Sequence, residues 1–239
     1  MTKYRRILLK LSGESLMGEQ NYGIDPIKLA DYASEIEEIV KMGVQVAIVM
    51  GGGNIFRGLQ GVSKGIDRVQ GDYMGMLATI INCMALQAEL EKNGIGTVLL
   101  GGLEVRPIVM PMSRLQASAY LEAGKVVIIS GGTGNPYFTT DTASALRGIE
   151  VKADILLKGT RVDGVYTADP EKSPNAVKYS RLTFQEAYSK GLKILDLTAF
   201  SLCMENNLPI YVFNMDVKGN LIRLIKGEHI GTLISNNFQ

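Results

Sequence analysis

Residues 126–147 read Val-Val-Ile-Ile-Ser-Gly-Gly-Thr-Gly-Asn-Pro-Tyr-Phe-Thr-Thr-Asp-Thr-Ala-Ser-Ala-Leu-Arg. The run from Val126 to Ile129 is apolar at every position, the pattern of a strand buried on both faces. Gly131, Gly132 and Gly134 let backbone approach a neighbour or ligand closely, and Asn135-Pro136 turns the chain. Thr139, Thr140 and Asp141 can each cap the helix that Ala143, Ala145 and Leu146 propose. The order is therefore strand, glycine loop, capped helix. Backbone N–H groups at such a helix start favour a bound anion; the same turn also serves as a plain β-to-α connection.

Working outward, the chain alternates. Arg6–Leu11 is a strand ending in Lys10-Leu11-Ser12-Gly13-Glu14. Asp25-Pro26 caps and opens a helix with Leu29, Ala33, Ile36 and Val40 on one face and Gly43 beyond its end. Val44–Met50 is a strand followed at once by Gly51-Gly52-Gly53-Asn54. A long helix runs from about Asp72 to Gly94, its stripe of Met74, Leu77, Ile81, Met84 and Ala88 reading as core, with a subunit interface as the alternative. Strands follow at Ile95–Leu100, Ala153–Lys158, Pro209–Phe213 and Thr232–Ile234. Helices are expected at Arg114–Glu122, Thr183–Lys190, Ala199–Asn206 and Leu221–Lys226. Asp163-Gly164 reads as a hairpin turn. The alternation implies an α/β fold, a three-layer αβα sandwich with a largely parallel central sheet. A chain of 239 residues accommodates that as one large domain or two small lobes.

Composition narrows the function. The net charge of +1 argues against a nucleic-acid partner. No apolar run reaches the ~18 residues of a membrane span, and the basic N-terminus has no signal-peptide pattern. Cys83 and Cys203, without any Cys-x-x-Cys spacing, read as reduced core residues of a cytoplasmic protein. The single histidine, His229, lies in a polar stretch and reads as a surface residue, which excludes triads and histidine-rich metal sites.

Ligands of open parallel sheets collect at the carboxyl ends of the strands. Ser12-Gly13, Gly51–Asn54, Gly131–Asn135 and Gly159-Thr160 all follow strands and would share one sheet edge, which suggests a long ligand, or two, rich in phosphate. Neither Gly-x-x-x-x-Gly-Lys-Ser/Thr nor Gly-x-Gly-x-x-Gly is present, nor His-Arg-Asp nor Asp-Phe-Gly. P-loop ATPases, dinucleotide dehydrogenases and protein kinases are disfavoured.

Lys-Leu-Ser-Gly-Glu at 10–14, Gly-Gly-Gly-Asn-Ile-Phe-Arg-Gly at 51–58, Gly-Thr-Gly-Asn-Pro-Tyr-Phe-Thr-Thr-Asp at 132–141 and Val-Asp-Gly-Val-Tyr-Thr-Ala-Asp-Pro at 162–170 resemble the bacterial UMP kinases of the amino-acid-kinase fold. The resemblance runs nearly end to end, to Gly-Thr-Leu-Ile at 231–234. The 132–141 stretch is its narrowest part and the one that points to UMP. It implies a single domain whose first part, about 1–150, binds UMP and whose second, about 151–239, binds ATP. It assigns Lys10 to the transferring phosphoryl group, oriented by Asp141. Leu11, Ser12, Gly13, Gly53 and Arg57 are assigned to ATP phosphates, with Thr160, Tyr166 and Asp169 on adenosine. UMP would meet Gly52, Asp72 at its ribose, and the wrap of Thr133, Gly134, Asn135, Pro136, Tyr137, Phe138, Thr139 and Thr140. Lys158, a second cation near the phosphates, and Asp196, an isolated carboxylate between leucines, are weaker supporting sites. From the residues alone, Asp72 also reads as a helix cap and Tyr166 as a hairpin core residue.

In-line phosphoryl transfer needs positioning and charge neutralisation more than covalent help. No dense carboxylate cluster is required when Mg²⁺ arrives with ATP. The resemblance further implies a homohexamer inhibited by UTP and, in many members, responsive to GTP through a region matching Gly18–Gly23. The stretch 101–124 carries no motif of this kind. Two other readings stay open: a kinase of the same fold acting on an amino acid or carbamate, and a non-catalytic protein that stores oxyanions or nucleotides.

Overall fold

The computed structural model describes every residue except Met1, 58–64, Glu171, Pro174 and Gln239; Gly58, which closes the 51–58 motif, lies outside the described residues. In chain order the elements are β1 (Arg6–Leu11), a 3-10 turn (Gly13–Met17), α1 (Pro26–Lys41), β2 (Gln45–Met50), α2 (Arg68–Lys92), β3 (Thr97–Gly101), β4 (Met110–Pro111), α3 (Arg114–Glu122), β5 (Val126–Ser130), α4 (Thr140–Glu150), β6 (Ile155–Thr160), β7 (Val165–Tyr166), β8 (Lys178–Tyr179), β9 (Arg181–Thr183), α5 (Phe184–Ser189), α6 (Leu197–Glu205), β10 (Ile210–Asn214), α7 (Asn220–Ile225) and β11 (Thr232–Ser235). Among the described residues, nine strands form one sheet in the order β4-β3-β5-β2-β1-β6-β10-β11-β9. Its pairs are parallel except β10 with β11. Helices cover both faces, so the architecture is the expected α/β sandwich.

Strand side chains alternate between two cores. Ile7, Leu9 and Leu11 of β1 pack with α1, α2 and α7, through Tyr32, Ile36, Cys83, Leu86 and Leu224. Leu8 faces the other way, with α3, α4, α5 and α6 supplying Leu121, Ala143, Ala145, Phe184 and Phe200. Because both faces are covered, central strands read as unbroken apolar runs. Cys83 and Cys203 are buried and unpaired, and His229 is exposed, as expected.

Three expectations change. The long helix begins at Arg68, four residues before Asp72, because Asp67 caps it by accepting from the backbone N–H groups of Val69 and Gln70. Asp72 therefore sits in the second turn and caps nothing. The stripe of Met74, Leu77, Ile81, Met84 and Ala88 is exposed, with Leu77 and Ile81 at 47% and 50%. Met76, Ile80, Cys83, Leu86 and Leu90 carry the buried face instead. The helix is apolar on both sides, so periodicity alone cannot tell which side faces the sheet. Finally, Asp163-Gly164 is no hairpin turn: β7, directly after it, pairs antiparallel with β8 rather than with the strand before it.

Leu121 is fully buried and Leu115, on the same helix α3, is 79% exposed. Leu121→Ala should lose about 2–5 kcal/mol in urea unfolding. Leu115→Ala should stay within about 0.5 kcal/mol of wild type.

Candidate active site

The four turns expected to share an edge follow β1, β2, β5 and β6, which are consecutive neighbours in the sheet and mutually parallel. Their carboxyl ends meet at the middle of one edge. The register of β1 on β6 sets Lys10 directly opposite Lys158. Each lies two residues past a leucine, Leu8 and Leu156, of the core beneath α4, so both lysines rise on the α4 face.

Two ammonium groups side by side would repel, and Asp141 in the first turn of α4 lies between them. Lys10 Nζ is 3.0 Å from Asp141 Oδ1, and Lys158 Nζ donates to Oδ2 at 2.9 Å. Lys158 also donates to the carbonyl of Ile194 at 2.6 Å. All three side chains are mostly buried. Burial, the largest influence on Asp141, acts to raise its pKa; the charges of Lys10 and Lys158 outweigh it and hold the carboxyl below its ordinary value. Burial pushes Lys158 down, against the pull of Asp141 and with the repulsion of Lys10. Two cations and one carboxylate leave the cluster a net positive charge, suited to an anion.

Asp141 is placed by its helix start. Thr139 is the cap, accepting from the N–H groups of Asp141 and Thr142 at 3.1 and 3.2 Å. Thr139 in turn donates to Asp196, which also accepts from the Thr142 hydroxyl at 2.9 Å and from the backbone N–H of Ala199 at 2.9 Å. Asp196 therefore caps α6 and ties it to α4. That is a sufficient account of a carboxylate between leucines.

A cavity of about 230 Å³ opens on one side of the cluster. Gly52, Gly53, Asp72, Thr133, Phe138, Thr139 and Thr140 line it among the residues singled out above. Gly53, expected on the ATP side, thus borders the same space as Gly52. Asp72 Oδ2 accepts from Arg68 Nε at 2.8 Å and from the backbone N–H of Tyr137 at 2.7 Å, which ties α2 to the 132–139 loop. Tyr137 has a left-handed φ of 73°, and its ring lies beneath the Arg68 guanidinium. Gly134, Asn135 and Pro136 shape the loop without lining the cavity. A Cβ on Gly134 would come within 2.4 Å of the Gly102 carbonyl, which explains the glycine there. It also brings the 101–124 stretch against the site.

On the other side, Lys158, Thr160, Tyr166 and Asp169 line a larger cavity of about 600 Å³, closed by the 190–194 segment. Lys10 and Ser12 border an adjoining recess that shares Lys158 and Thr160. The Tyr166 hydroxyl donates to Asp163 at 2.5 Å, and Asp163 also meets Lys178 at 2.8 Å. Leu11 buries its side chain in the core, and its carbonyl accepts from Gly51, so it joins two turns and lines neither cavity. Gly13 has no room for a side chain: a Cβ would lie 2.5 Å from the Gly51 carbonyl. Arg57 pairs with Glu14 at 2.8 Å and lines a separate recess with Met17 and Tyr22.

Several participants escape sequence reasoning. Arg68, Gly75, Met76 and Thr79 of α2 line the smaller cavity. Thr79 accepts from the Gly131 N–H at 2.8 Å. Buried Arg147 donates to the Gly132 and Thr133 carbonyls, each at 3.3 Å. The available signal was polar or small residues at helical spacing inside an apolar helix.

Residues 5–214 match the amino acid kinase family. The uridylate kinase of Porphyromonas gingivalis is 61% identical over 236 residues, covering 99% of both chains. That of Parabacteroides distasonis is 60% identical over 236 residues, 99% of this chain and 100% of the relative. The chain belongs to the uridylate kinases of the amino acid kinase family. Among solved structures, a UMP kinase from Bacillus anthracis superposes with a TM-score of 0.95 at 38% identity, covering 98% of this chain and 97% of the other. One from Ureaplasma parvum gives 0.93 at 39%, covering 98% and 99%. The chain thus shares the fold of these UMP kinases over nearly its whole length.

Asp141→Asn strands two lysines against each other. It should cost about 3–5 kcal/mol in urea unfolding at neutral pH. A carboxyl held low in the folded state contributes stability that is present above its unfolded pKa and lost as pH falls through the folded one. The gap between wild type and variant should therefore hold from neutral pH down to about the ordinary carboxyl value of 3.8 and close only below it.

Proposed function

We infer that this chain transfers the γ-phosphoryl group of ATP to UMP, giving UDP and ADP, as an enzyme of pyrimidine nucleotide biosynthesis. The observation that carries the reading is the Lys10–Asp141–Lys158 cluster standing between two cavities at the carboxyl edge of parallel strands. UMP occupies the smaller cavity, its ribose at Asp72 and its base against Phe138 and the 133–140 loop. ATP occupies the larger, with adenosine near Thr160, Tyr166 and Asp169 and phosphates reaching the Ser12-Gly13 turn. Residues 1–150 thus supply most of the acceptor site and 151–239 most of the donor site, within a single domain.

The chemistry needs no protein base. A UMP phosphate oxygen is already ionised, and Asp141, held by two lysines, is a poor proton acceptor at neutral pH. Its work is to aim the lysines. Lys10 and Lys158 then offset charge that builds on the transferring group, in a site already organised for it. No group of three His, Cys, Asp or Glu side chains able to hold a metal gathers among the described residues. A divalent cation, Mg²⁺ in this reading, fits as part of the donor, held on ATP phosphate oxygens and supplying further charge neutralisation there.

Assembly as a homohexamer, inhibition by UTP and activation by GTP belong to the same reading. The exposed apolar stripe of α2 supports assembly. No helix among the described residues is long and apolar enough to cross a membrane; a cytoplasmic location completes the proposal.

The test is ADP release from Mg-ATP with UMP, CMP, aspartate or carbamate as acceptor. UMP should exceed CMP in kcat/KM by at least about 10²-fold, since a pocket paired to uracil leaves groups unpaired against cytosine. Equal turnover of an amino acid or carbamate would return the chain to the wider family. Lys10→Ala should lower kcat by about 10²–10³-fold with little change in UMP affinity measured by titration, because its charge is needed mainly in the transition state.

A further inference from the structure

On α2, four residues at helical spacing, Gly75, Ala78, Thr79 and Asn82, face the glycine turns. Asn82 is the deepest, fully buried in a helix whose neighbouring inward positions are Cys83 and Leu86. Its amide donates to the Gly51 carbonyl at 2.7 Å and to Asn54 Oδ1 at 2.7 Å. Its oxygen accepts from Asn54 Nδ2 at 3.0 Å. Asn54, itself buried, donates onward to the Gly23 carbonyl at 2.8 Å, and its own carbonyl accepts from the Gly23 N–H at 3.0 Å.

This reciprocal amide pair lies beneath both sides of the reaction. Gly52 and Gly53, next along the chain from Gly51, line the acceptor cavity, and a Cβ on Gly52 would come within 2.8 Å of Ala78. Gly13 of the donor turn is stacked so closely that a Cβ would lie 2.6 Å from Asn54 Oδ1 and 2.5 Å from the Gly51 carbonyl. A buried amide in an apolar helix face costs free energy unless every group is paired, so the sequence keeps one there only for what it holds.

We infer that Asn82 is a positioning residue for phosphoryl transfer: through Gly51 and Asn54 it sets the acceptor turn against the donor turn. The inference rests on the UMP kinase reading above. Asn82 touches neither substrate. Its effect is on the alignment of the reacting groups, where a shift of about 1 Å costs about 10²-fold in rate.

The test is steady-state kinetics and thermal melting of Asn82→Leu, of Asn54→Leu with Asn82→Leu, and of Asn82→Ser, each assayed well below its melting temperature. Asn82→Leu strands the Asn54 amide and should lower both stability and kcat. The double substitution removes both amides at similar volume and should recover the part of the stability lost by stranding Asn54, though not the part lost at the Gly51 and Gly23 carbonyls. Positioning requires kcat to stay about 10²-fold low in the recovered double variant, with KM for UMP and for ATP within about threefold of wild type. A purely structural Asn82 predicts that kcat returns along with the melting temperature, which would overturn the inference. If the double variant does not fold, Asn82→Ser decides. Its short hydroxyl side chain cannot span the same contacts, yet it forces no apolar bulk against the Asn54 amide; a folded protein at wild-type kcat overturns the proposal, and one at least about ten-fold slower at unchanged KM supports it. A wild-type protein that turns over no UMP would fell the functional reading before any variant is compared.

Discussion

Asp141, held between Lys10 and Lys158, is the constraint on which the site depends. Neighbouring parallel strands place two ammonium groups abreast on a covered sheet face, which is tolerable only with an opposite charge between them. That carboxylate comes from the first turn of α4, from which the short Asp141 side chain reaches both lysines. Fixing the first turn of α4 fixes what precedes it: Thr139 as cap, the left-handed Tyr137, and the 131–134 glycine turn, whose Gly132 lines the acceptor cavity. One ion triad thereby sets the charge and much of the shape.

Helix α2 supplies the rest of the geometry. Thr79 grips Gly131, Asn82 grips Gly51, and Asp72 grips Tyr137, so three hydrogen bonds from one rigid rod reach two separate loops. Hydrogen bonds add modestly to stability, but the two buried ones, at Thr79 and Asn82, fix relative position strictly, since each unpaired alternative is costly. The outer face of the same rod is the exposed apolar stripe.

Much of this was legible from the residues. The strands that carry the site were plain, because doubly covered parallel strands are unbroken apolar runs ending in glycine. The four turns at the edge, from Ser12-Gly13 to Gly159-Thr160, followed from that rule, whereas the roles of Lys10 and Asp141 came from the family resemblance. What escaped was the facing of a helix apolar all round: Met74, Leu77 and Ile81 keep as good a period as Met76, Ile80 and Cys83, and only tertiary packing chooses. The start of α2 differs from the expected Asp72 because Asp67 is an equally good cap lying farther upstream. The short strands β4, β8 and β9 gave no periodicity to read. Polar residues such as Asn82 and Arg147 act by holding backbone carbonyls, and nothing in a sequence marks which carbonyls they will meet.

The order of strands in the sheet carries a last consequence, for how the protein comes into being. The four strands that hold the site are neighbours in space, yet along the chain they are drawn from residues 6 to 160. The central strand β1 emerges first during synthesis and waits for β6 to cover its second side. Non-local pairings of this kind are formed late and slowly. The charged cluster is therefore a late product of folding: residues 52–140, which line the acceptor cavity, are all made before Lys158 arrives to complete the triad with Lys10 and Asp141.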